Sequence, residues 1–373
     1  MGRVTRMPRK HLLIGFFALL LPLAAIGAVS RPATLGAYGI DPDRVTISGL
    51  SSGAYMAVQL SVAYSSLFSG VAVIAGGPYG CAETGGGVVV NAARALGPCM
   101  AGSYTWTQRG QCIFWWWTTC PGADRPDSDA AIALARQYAR SNVIDPLDNL
   151  RRDRVFLLSG RKDTKVVPAV VSALRQFYEA FVPSLNIREE DLDDVAHTFP
   201  TDTFKQGNAC SKSNPPYVSD CNYDAAGKLL AFLYGALKPR NDGPSEGSLI
   251  EFDQTRFFPS SVSTGMADVG YVYVPKTCTA AGARCALHVA LHGCLQTAGS
   301  IGMKFVEGTG YNRWADTNGI IVLYPQIGKS KLATNPEDCW DWWGYTGSTF
   351  LEKRAPQMQA ITAMANQLKA RPQ

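Results

Sequence analysis

The sequence predicts an α/β fold, a mostly parallel β-sheet with helices on both faces. Three observations support this prediction. Continuous apolar runs of strand length recur along the chain, segments with helical spacing of apolar residues lie between them, and turns rich in Gly and Pro separate the two. Strands that alternate with helices in this way are typical of βαβ units, whose strands are parallel and buried on both faces.

The first thirty residues differ from the rest of the chain. Four cations between residues 3 and 10 precede an apolar run over residues 12–28 that contains Pro22, and small residues follow. This order is typical of a secretory signal peptide, and the run is short for a membrane-spanning helix. We therefore expect residues 1–30 to be a signal peptide and residues 31–373 to form a single domain, with no separate substrate-binding domain. The mature protein is expected to be secreted, to the extracellular space or a periplasm.

Composition excludes some classes of partner. The chain has 373 residues, of which 46% are hydrophobic and 17% charged, as is typical of a protein with a large buried core. Its formal net charge is +5, and removal of the four cations of the predicted signal peptide leaves about +1. A nearly neutral protein does not attract polyanions, so we expect no nucleic-acid partner. We also expect no membrane span in the mature form, which we expect to be a monomer.

The cysteines also predict export. All ten lie beyond the predicted signal peptide, and an even number is typical of disulfides formed in an oxidising compartment. Cys210 with Cys221, and Cys278 with Cys285, are close enough in sequence to be predicted as pairs. The chain contains no C-x-x-C motif or Cys/His cluster, so we expect no metal and no cofactor. The residues alone leave the pairing of the others open: Cys81, Cys99, Cys112, Cys120, Cys294 and Cys339.

The predicted elements follow one another in this order. Strands are predicted at 45–50, 70–76, 154–160, in part of 183–205, at 249–258, 269–274, 286–291 and 319–324, and helices at 54–64, 128–142, 167–181, 224–237, 298–317 and 349–370. The segments 249–258 and 269–274 are expected to form an antiparallel pair. Residues 78–125, rich in Gly, Cys and Trp, interrupt the alternation and predict a disulfide-rich insertion.

Residues 45–56 contain the most informative turn. A β-branched run leads into Gly49-Leu-Ser51-Ser-Gly53, which has the pattern G-x-S-x-G. In a nucleophile elbow, a strand turns sharply into a helix, and small residues flank a serine that is displayed at the turn. The helix that follows directs backbone N–H groups at the same place, which suits a negatively charged intermediate. The alternative is an ordinary tight turn made of small residues.

A nucleophilic serine needs a general base, and the chain has only four histidines. His11 belongs to the predicted signal peptide. His288 lies in the middle of an apolar strand, where a neutral structural histidine is expected. His292 begins a His-Gly segment of the kind that supplies an oxyanion donor. His197, in a polar loop after a strand, remains as the candidate base, and an unremarkable surface histidine is the alternative.

Asp163 is the candidate acid. It follows the apolar strand 154–160 directly, so its side chain is expected at the carboxyl edge of the sheet, where ligands of open α/β sheets bind. Three other aspartates are closer to His197 in sequence, but they are typical of a solvated acidic turn: Asp191, Asp193 and Asp194.

The order of the motifs predicts a circular permutation. In α/β-hydrolases the oxyanion loop precedes the nucleophile, whereas His292 and Gly293 follow Ser51 here. Residues 269–326 contain the elements expected before the nucleophile: the antiparallel pair, the strand before His292, a helix and a further strand. We therefore predict a circularly permuted α/β-hydrolase with a single domain, whose termini opened between the last helix and the nucleophile strand.

Five motifs together resemble the poly(3-hydroxybutyrate) depolymerases, specifically the extracellular-type, permuted subgroup that acts on short-chain-length polymer and has an N-terminal lipase box. The motifs are Gly49-Leu-Ser51-Ser-Gly53, Ser159-Gly-Arg-Lys-Asp163-Thr, Ala196-His197-Thr-Phe-Pro, Leu291-His-Gly-Cys294 and Cys339-Trp-Asp-Trp-Trp-Gly. The resemblance covers residues 40–370. One departure is Ala54, where a second glycine is expected after the elbow.

The resemblance implies an activity and a set of site residues. Ser51, Asp163 and His197 are the implied triad, the backbone N–H groups of Ser52 and Cys294 the implied oxyanion hole, and a disulfide between Cys294 and Cys339 is implied. The implied reaction is hydrolysis of poly(3-hydroxybutyrate) to 3-hydroxybutyrate oligomers and monomer through an acyl-enzyme on Ser51, with this polyester as the partner.

Two groups of tryptophans are candidates for substrate contact. Trp340, Trp342 and Trp343 follow Cys339, and at least one is expected to line the cleft, with core packing as the alternative for each. Residues Trp115 to Trp117 cannot all point inward if the segment is extended, because alternate side chains then face opposite ways. An exposed apolar patch for polymer or partner contact is therefore a hypothesis for these residues.

Two other functions remain open. One is a carboxylesterase for a different ester, such as a feruloyl, acetyl-xylan or aromatic polyester substrate. The other is a non-catalytic polymer-binding protein, although the presence of a candidate triad argues against it.

Overall fold

The computed structural model of the protein describes residues 1–3, 32–101, 125–260, 262–330 and 333–372. The chain divides into two compact units, Met1–Arg31 and Pro32–Gln373. Nearly all of the predicted signal peptide lies outside the described residues, as do Cys112, Cys120 and Trp115 to Trp117. Within the described ranges, every helix is too short or too polar to cross a bilayer.

The larger unit is built on a sheet of eight strands. These are β1 (Val45–Leu50), β2 (Gly70–Ile74), β3 (Arg154–Gly160), β4 (Ile187–Leu192), β8 (Ser248–Asp253), β9 (Val269–Val274), β10 (Ala286–Leu291) and β11 (Ile320–Tyr324). Their spatial order is β4-β3-β2-β1-β10-β11-β9-β8. Strand β9 is antiparallel to β8 and β11, and the other neighbouring pairs are parallel. The predicted mostly parallel sheet and its antiparallel pair are confirmed, but the predicted strand 249–258 ends at Asp253 and a 3₁₀ helix follows over Gln254–Phe257.

A smaller sheet lies beside the main one. It contains β5 (Phe199–Thr201), β6 (Asn208–Ala209) and β7 (Val218–Asp220), in the order β5-β7-β6. Strands of two or three residues carry too little periodicity for a sequence pattern to reveal them, and none of the three was predicted separately.

Helices cover both faces of the main sheet. They are α1 (Ser52–Ala63), α2 (Val88–Leu96), α3 (Ser128–Arg140), α4 (Pro168–Glu179), α5 (Ala225–Tyr234), α6 (Ala298–Ile301), α7 (Lys304–Gly308), α8 (Tyr311–Asn318) and α9 (Pro356–Lys369). Alternate residues of β3 enter two different hydrophobic clusters, Val155 and Leu157 in one, Phe156 and Leu158 in the other. Because alternate side chains of a strand face opposite ways, the two clusters lie on opposite faces.

The topology agrees with the predicted permutation. The first strand of the chain, β1, lies in the middle of the sheet between β2 and the late strand β10. Near the chain ends, the N–H of Tyr38 donates to the carbonyl of Leu368 at 2.9 Å, and that of Gly39 to Ala370 at 2.9 Å. The last helix therefore leads spatially into the segment before β1.

Two predicted helices have different bounds. The predicted helix 298–317 is three short helices, α6 to α8, because Gly302 and Gly310 take left-handed φ values of 66° and 90° that end a helical turn. The last helix begins at Pro356 and not at residue 349, which fits a residue whose missing N–H is tolerated only in the first turn.

Four disulfides lie among the described residues. The predicted pairs Cys210–Cys221 and Cys278–Cys285 are confirmed, as is the implied pair Cys294–Cys339. The remaining pair, Cys81–Cys99, closes the described part of the insertion. That part contains α2 and a π-helical turn over Gly97–Ala101.

Candidate active site

Ser51 lies at the sharp turn between β1 and α1. Its φ of 56° and ψ of −122° are strained for a residue with a side chain. A Cβ atom at Gly49 would lie 2.2 Å from the backbone of Gly53, and one at Gly53 would lie 2.4 Å from the carbonyl oxygen of His292. Only glycine fits at either position, so the G-x-S-x-G pattern is required by close backbone contacts. The predicted elbow is therefore present, and Ser51 is 7% exposed.

Asp163 and His197 form a buried pair. Asp163 Oδ2 lies 2.7 Å from His197 Nδ1, and the two residues are 4% and 7% exposed. The other carboxylate oxygen accepts from the backbone N–H groups of Lys165 at 2.8 Å and Val166 at 2.9 Å. Because an ionised carboxylate only accepts, Nδ1 carries the imidazole proton and Nε2 is free to accept one.

The three competing aspartates have other partners. Asp191 accepts from the hydroxyl of Ser159 at 3.0 Å, Asp193 pairs with the exposed Arg161 at 2.7 Å, and Asp194 pairs with Lys162. Asp193 and Asp194 form the solvated turn that the sequence predicted, whereas Asp191 is an exposed residue of β4. Asp163 is the carboxylate that contacts His197.

Parallel strands bring Ser51 and Asp163 to one edge of the sheet. Strand β2 pairs in parallel with both β1 and β3, and Ser51 and Asp163 follow the carboxyl ends of β1 and β3. The loop of His197 follows β4, which pairs with β3. All three residues therefore lie beyond the same edge.

Residues 291–295, the predicted oxyanion loop, pack against the elbow. A Cβ atom at Gly293 would lie 3.3 Å from the Cβ of Ser51. Cys294 is joined to Cys339, and Leu295, with a left-handed φ of 57°, donates its N–H to the carbonyl of Glu337 at 2.8 Å. The loop is thus fixed beside Ser51 from two directions. Ser52, the first residue of α1, has a backbone N–H that a helix leaves without an internal partner.

His292 controls the direction of the Cys294 amide. Its Nε2 accepts from the N–H of Ile327 at 3.2 Å, so Nδ1 carries the proton and donates to the carbonyl of Gly293 at 2.7 Å. That carbonyl and the N–H of Cys294 belong to one planar trans peptide and point in opposite directions. Burial lowers the pKa of His292 to about 4, so the ring is neutral at ordinary pH.

His288 has the predicted structural environment. It is buried in β10, with the hydroxyls of Thr46 and Ser48 each at 2.7 Å from one ring nitrogen, and burial lowers its pKa to about 3. A fully bonded neutral ring of this kind is not available to a substrate.

The three tryptophans after Cys339 differ from one another. Trp340 is 0% exposed, and its indole N–H donates to the carbonyl of His292 at 3.0 Å. This burial leaves no surface for a substrate, so the predicted substrate contact is corrected for Trp340, which supports the oxyanion loop instead. Trp342 stacks on Tyr55 with 4.0 Å between ring centroids, and Trp343 meets Trp342 edge-on at 5.6 Å.

Two residues near the elbow were not singled out from the sequence. Tyr55, one turn after Ser51, stacks on Trp342 and donates its hydroxyl to the carbonyl of Cys99 in the insertion. Gln296 has its side-chain amide within hydrogen-bonding distance of Gly293. The sequence signal for Gln296 is its position two residues after Cys294. Neither contact is visible without the fold.

The described residues contain one cluster of potential metal ligands, formed by Cys294, Glu337 and Cys339. Two of its members are joined in a disulfide, and sulfurs bonded in this way do not act as thiolate ligands.

Sequence relatives name one kind of enzyme. The family model described as Esterase PHB depolymerase matches residues 270–370. The chain is 43% identical over 351 residues to a poly(3-hydroxybutyrate) depolymerase of Delftia acidovorans, which covers 93% of this chain and 64% of that relative. It is 38% identical over 358 residues to a polyhydroxybutyrate depolymerase of Talaromyces funiculosus, covering 93% of this chain and 96% of the relative. The chain thus spans nearly two thirds of one relative and almost all of the other.

Solved structures agree with these relatives. A PHB depolymerase from Penicillium funiculosum superposes with a TM-score of 0.77 and 37% identity, over 90% of this chain and 99% of that chain. A serine-to-alanine variant of a PHB depolymerase, complexed with a trimer of R3HB, superposes with a TM-score of 0.78 at the same identity and coverage.

Proposed function

The chain belongs to the poly(3-hydroxybutyrate) depolymerase family, and from this membership we propose that it hydrolyses poly(3-hydroxybutyrate) to 3-hydroxybutyrate oligomers and monomer. The observation that carries the proposal is the buried 2.7 Å contact between Asp163 and His197 at the sheet edge where the strained elbow displays Ser51. A hydroxyl, an imidazole with a free Nε2 and a carboxylate at one edge are the parts of a serine esterase.

The proposed reaction begins with attack on the ester carbonyl. His197 Nε2 accepts the proton of Ser51 as Oγ forms a bond to the carbonyl carbon, and the carbonyl π electrons move onto oxygen. The resulting oxyanion accepts hydrogen bonds from the N–H groups of Ser52 and Cys294. The C–O bond to the leaving alcohol then breaks, and His197 gives its proton to that alcohol, which leaves an acyl-enzyme on Ser51.

Water completes the reaction by the same route. His197 accepts a proton from water as the hydroxyl oxygen attacks the acyl carbon, and the second tetrahedral intermediate uses the same two amides. Collapse returns the proton to Ser51 Oγ and releases the acid. Asp163 remains an acceptor throughout and stabilises the imidazolium that forms in each half of the reaction. These steps need no metal and no cofactor.

The remaining predictions complete the proposal. The partner is a polyester chain that packs against Trp342 and Trp343, which are 4% and 7% exposed where Trp340 is 0% exposed. Residues 1–30 are a signal peptide, residues 31–373 are a single catalytic domain, and the mature protein is a secreted monomer. Four disulfides among the described residues support an oxidising compartment.

A clearing assay tests the proposed function. Purified protein is added to a turbid suspension of poly(3-hydroxybutyrate), and released 3-hydroxybutyrate is measured. Wild type and Ser61→Ala, a matched serine substitution in α1, are expected to clear the suspension, and Ser51→Ala is expected not to. Hydrolysis of short soluble esters without clearing would favour another ester as the substrate. Polymer binding with no hydrolysis of any ester would favour a non-catalytic protein.

A further inference from the structure

A buried glutamine connects the two loops on either side of Ser51. Gln296 is 1% exposed. Its Oε1 accepts from the N–H of Gly293 at 2.7 Å, and its Nε2 donates to the carbonyls of Pro216 at 2.8 Å and Tyr217 at 3.0 Å. One side-chain amide therefore bonds to both the oxyanion loop and the segment before β7.

The segment before β7 holds the loop of the candidate base. The carbonyl of Tyr217 also accepts from the N–H of Phe199 at 2.8 Å, two residues after His197. The N–H of His197 itself donates to the hydroxyl of Ser213 at 2.9 Å. The disulfide Cys210–Cys221 closes this segment. A shift of the segment would therefore move His197.

On the other side, residue 296 holds both peptide groups of Gly293. Its side chain accepts from the Gly293 N–H, and its own N–H donates to the Gly293 carbonyl at 3.3 Å. That carbonyl shares a peptide plane with the N–H of Cys294, so fixing the carbonyl fixes the direction of the proposed oxyanion donor. Gln296 acts here together with His292.

We propose that Gln296 is a positioning residue that sets the oxyanion amide of Cys294 at a fixed place relative to His197. The proposal rests on the ester-hydrolase function described above. The transition state needs both parts at once, because the oxyanion develops at Cys294 while the proton moves to His197. The segments that Gln296 joins are 80 residues apart in the chain. A misplacement of about 1 Å in such a site costs up to about 10²-fold in rate.

Gln296→Met tests the proposal because it keeps the volume and removes every side-chain hydrogen bond. With p-nitrophenyl butyrate, we expect kcat to fall about tenfold or more while KM changes less than about threefold. The reason is that Gln296 is assigned to positioning groups that act in the transition state and not to binding the substrate. The affinity for a boronic acid that forms a tetrahedral adduct with serine should fall by the same factor as kcat.

Asn318→Leu is the matched control. The side-chain amide of Asn318 also bonds to two segments, accepting from the N–H of Lys238 at 2.7 Å and donating to the carbonyls of Lys238 at 3.1 Å and Trp314 at 2.9 Å. It is the last residue of α8 and lies outside the two loops. We expect its variant to lose thermal stability as Gln296→Met does, with kcat within about twofold of wild type. An equal loss of kcat in both variants, or an unchanged kcat in folded Gln296→Met, would overturn the proposal.

Gln296→Glu provides a second, independent test. Its carboxylate still accepts from Gly293 but faces two carbonyl oxygens that it repels, and protonation turns it into a donor again. The ratio of its kcat to that of wild type should therefore rise as pH falls. A pH-independent ratio would contradict the positioning role. Wild type that hydrolyses no ester would instead contradict the proposed function, so the two failures are distinguishable.

Discussion

The loop of His197 and the oxyanion loop lie on either side of Ser51 but are built differently. The His197 loop presents a side chain, held by a carboxylate at 2.7 Å. The oxyanion loop presents a backbone amide, held by the Cys294–Cys339 disulfide, the left-handed Leu295 and the buried Trp340. The function of the first loop depends on the imidazole of His197. The second depends on the position of a peptide plane, which several contacts determine together, so single substitutions should affect the two loops to different extents.

The largest loss of kcat is expected when the carboxylate that contacts His197 is changed. Asp163→Asn would leave the geometry nearly unchanged but favour the wrong imidazole tautomer, and in a triad this change lowers kcat by roughly 10⁴-fold. Asp191→Asn, the control, replaces an aspartate that accepts from the hydroxyl of Ser159, and it should retain kcat within about twofold. Steady-state kinetics on a soluble ester measure both. Equal kcat values for the two variants would assign the acid elsewhere.

An intermediate loss of kcat is expected when a constraint on the oxyanion loop is removed. Replacing Cys294 and Cys339 by alanine removes one constraint on the donor amide but not the amide itself, so kcat should fall about tenfold to 10²-fold, less than the full loss of one donor. The control removes Cys278 and Cys285, a disulfide that clips the short segment before β10. Its loss should lower the thermal midpoint with kcat nearly unchanged. Identical kcat losses in both double variants would mean that the disulfide near Ser51 has no special function.

The smallest effect is expected on the free energy of unfolding at acidic pH. The folded pKa of His292 is lowered to about 4 by burial, below the unfolded value of 6.5. The unfolded chain therefore binds a proton that the folded chain excludes, and the resulting stability is present above pH 6.5 and is lost as pH falls to about 4. Urea unfolding across this range should show a smaller pH dependence in His292→Asn than in wild type. Equal slopes would show that His292 is not held neutral.

Much of the site could be predicted from the sequence because each part leaves a local signal. Gly49 and Gly53 are forced by close backbone contacts, Asp163 follows an apolar strand, and with only four histidines in the chain the candidate base could be found by elimination. Those signals depend on one segment at a time. The reversed order of the motifs even revealed the permutation.

What the sequence did not reveal depends on packing between distant segments. A tryptophan after Cys339 has the same local pattern whether it lines a cleft or is buried, and only the fold shows that Trp340 is 0% exposed. The contacts of Gln296 join segments that lie far apart in the chain. The breaks at Gly302 and Gly310 were missed because glycine inside a helical pattern is often tolerated.

The most direct test of the central claim identifies the nucleophile chemically. Wild-type protein is treated with a fluorophosphonate, which phosphonylates an activated serine, and the modified residue is located by peptide mass spectrometry. We predict one adduct, on Ser51, formed with loss of esterase activity, and far slower labelling in His197→Ala and Asp163→Asn. Labelling of a different serine, or full esterase activity in a protein completely modified at Ser51, would contradict the account.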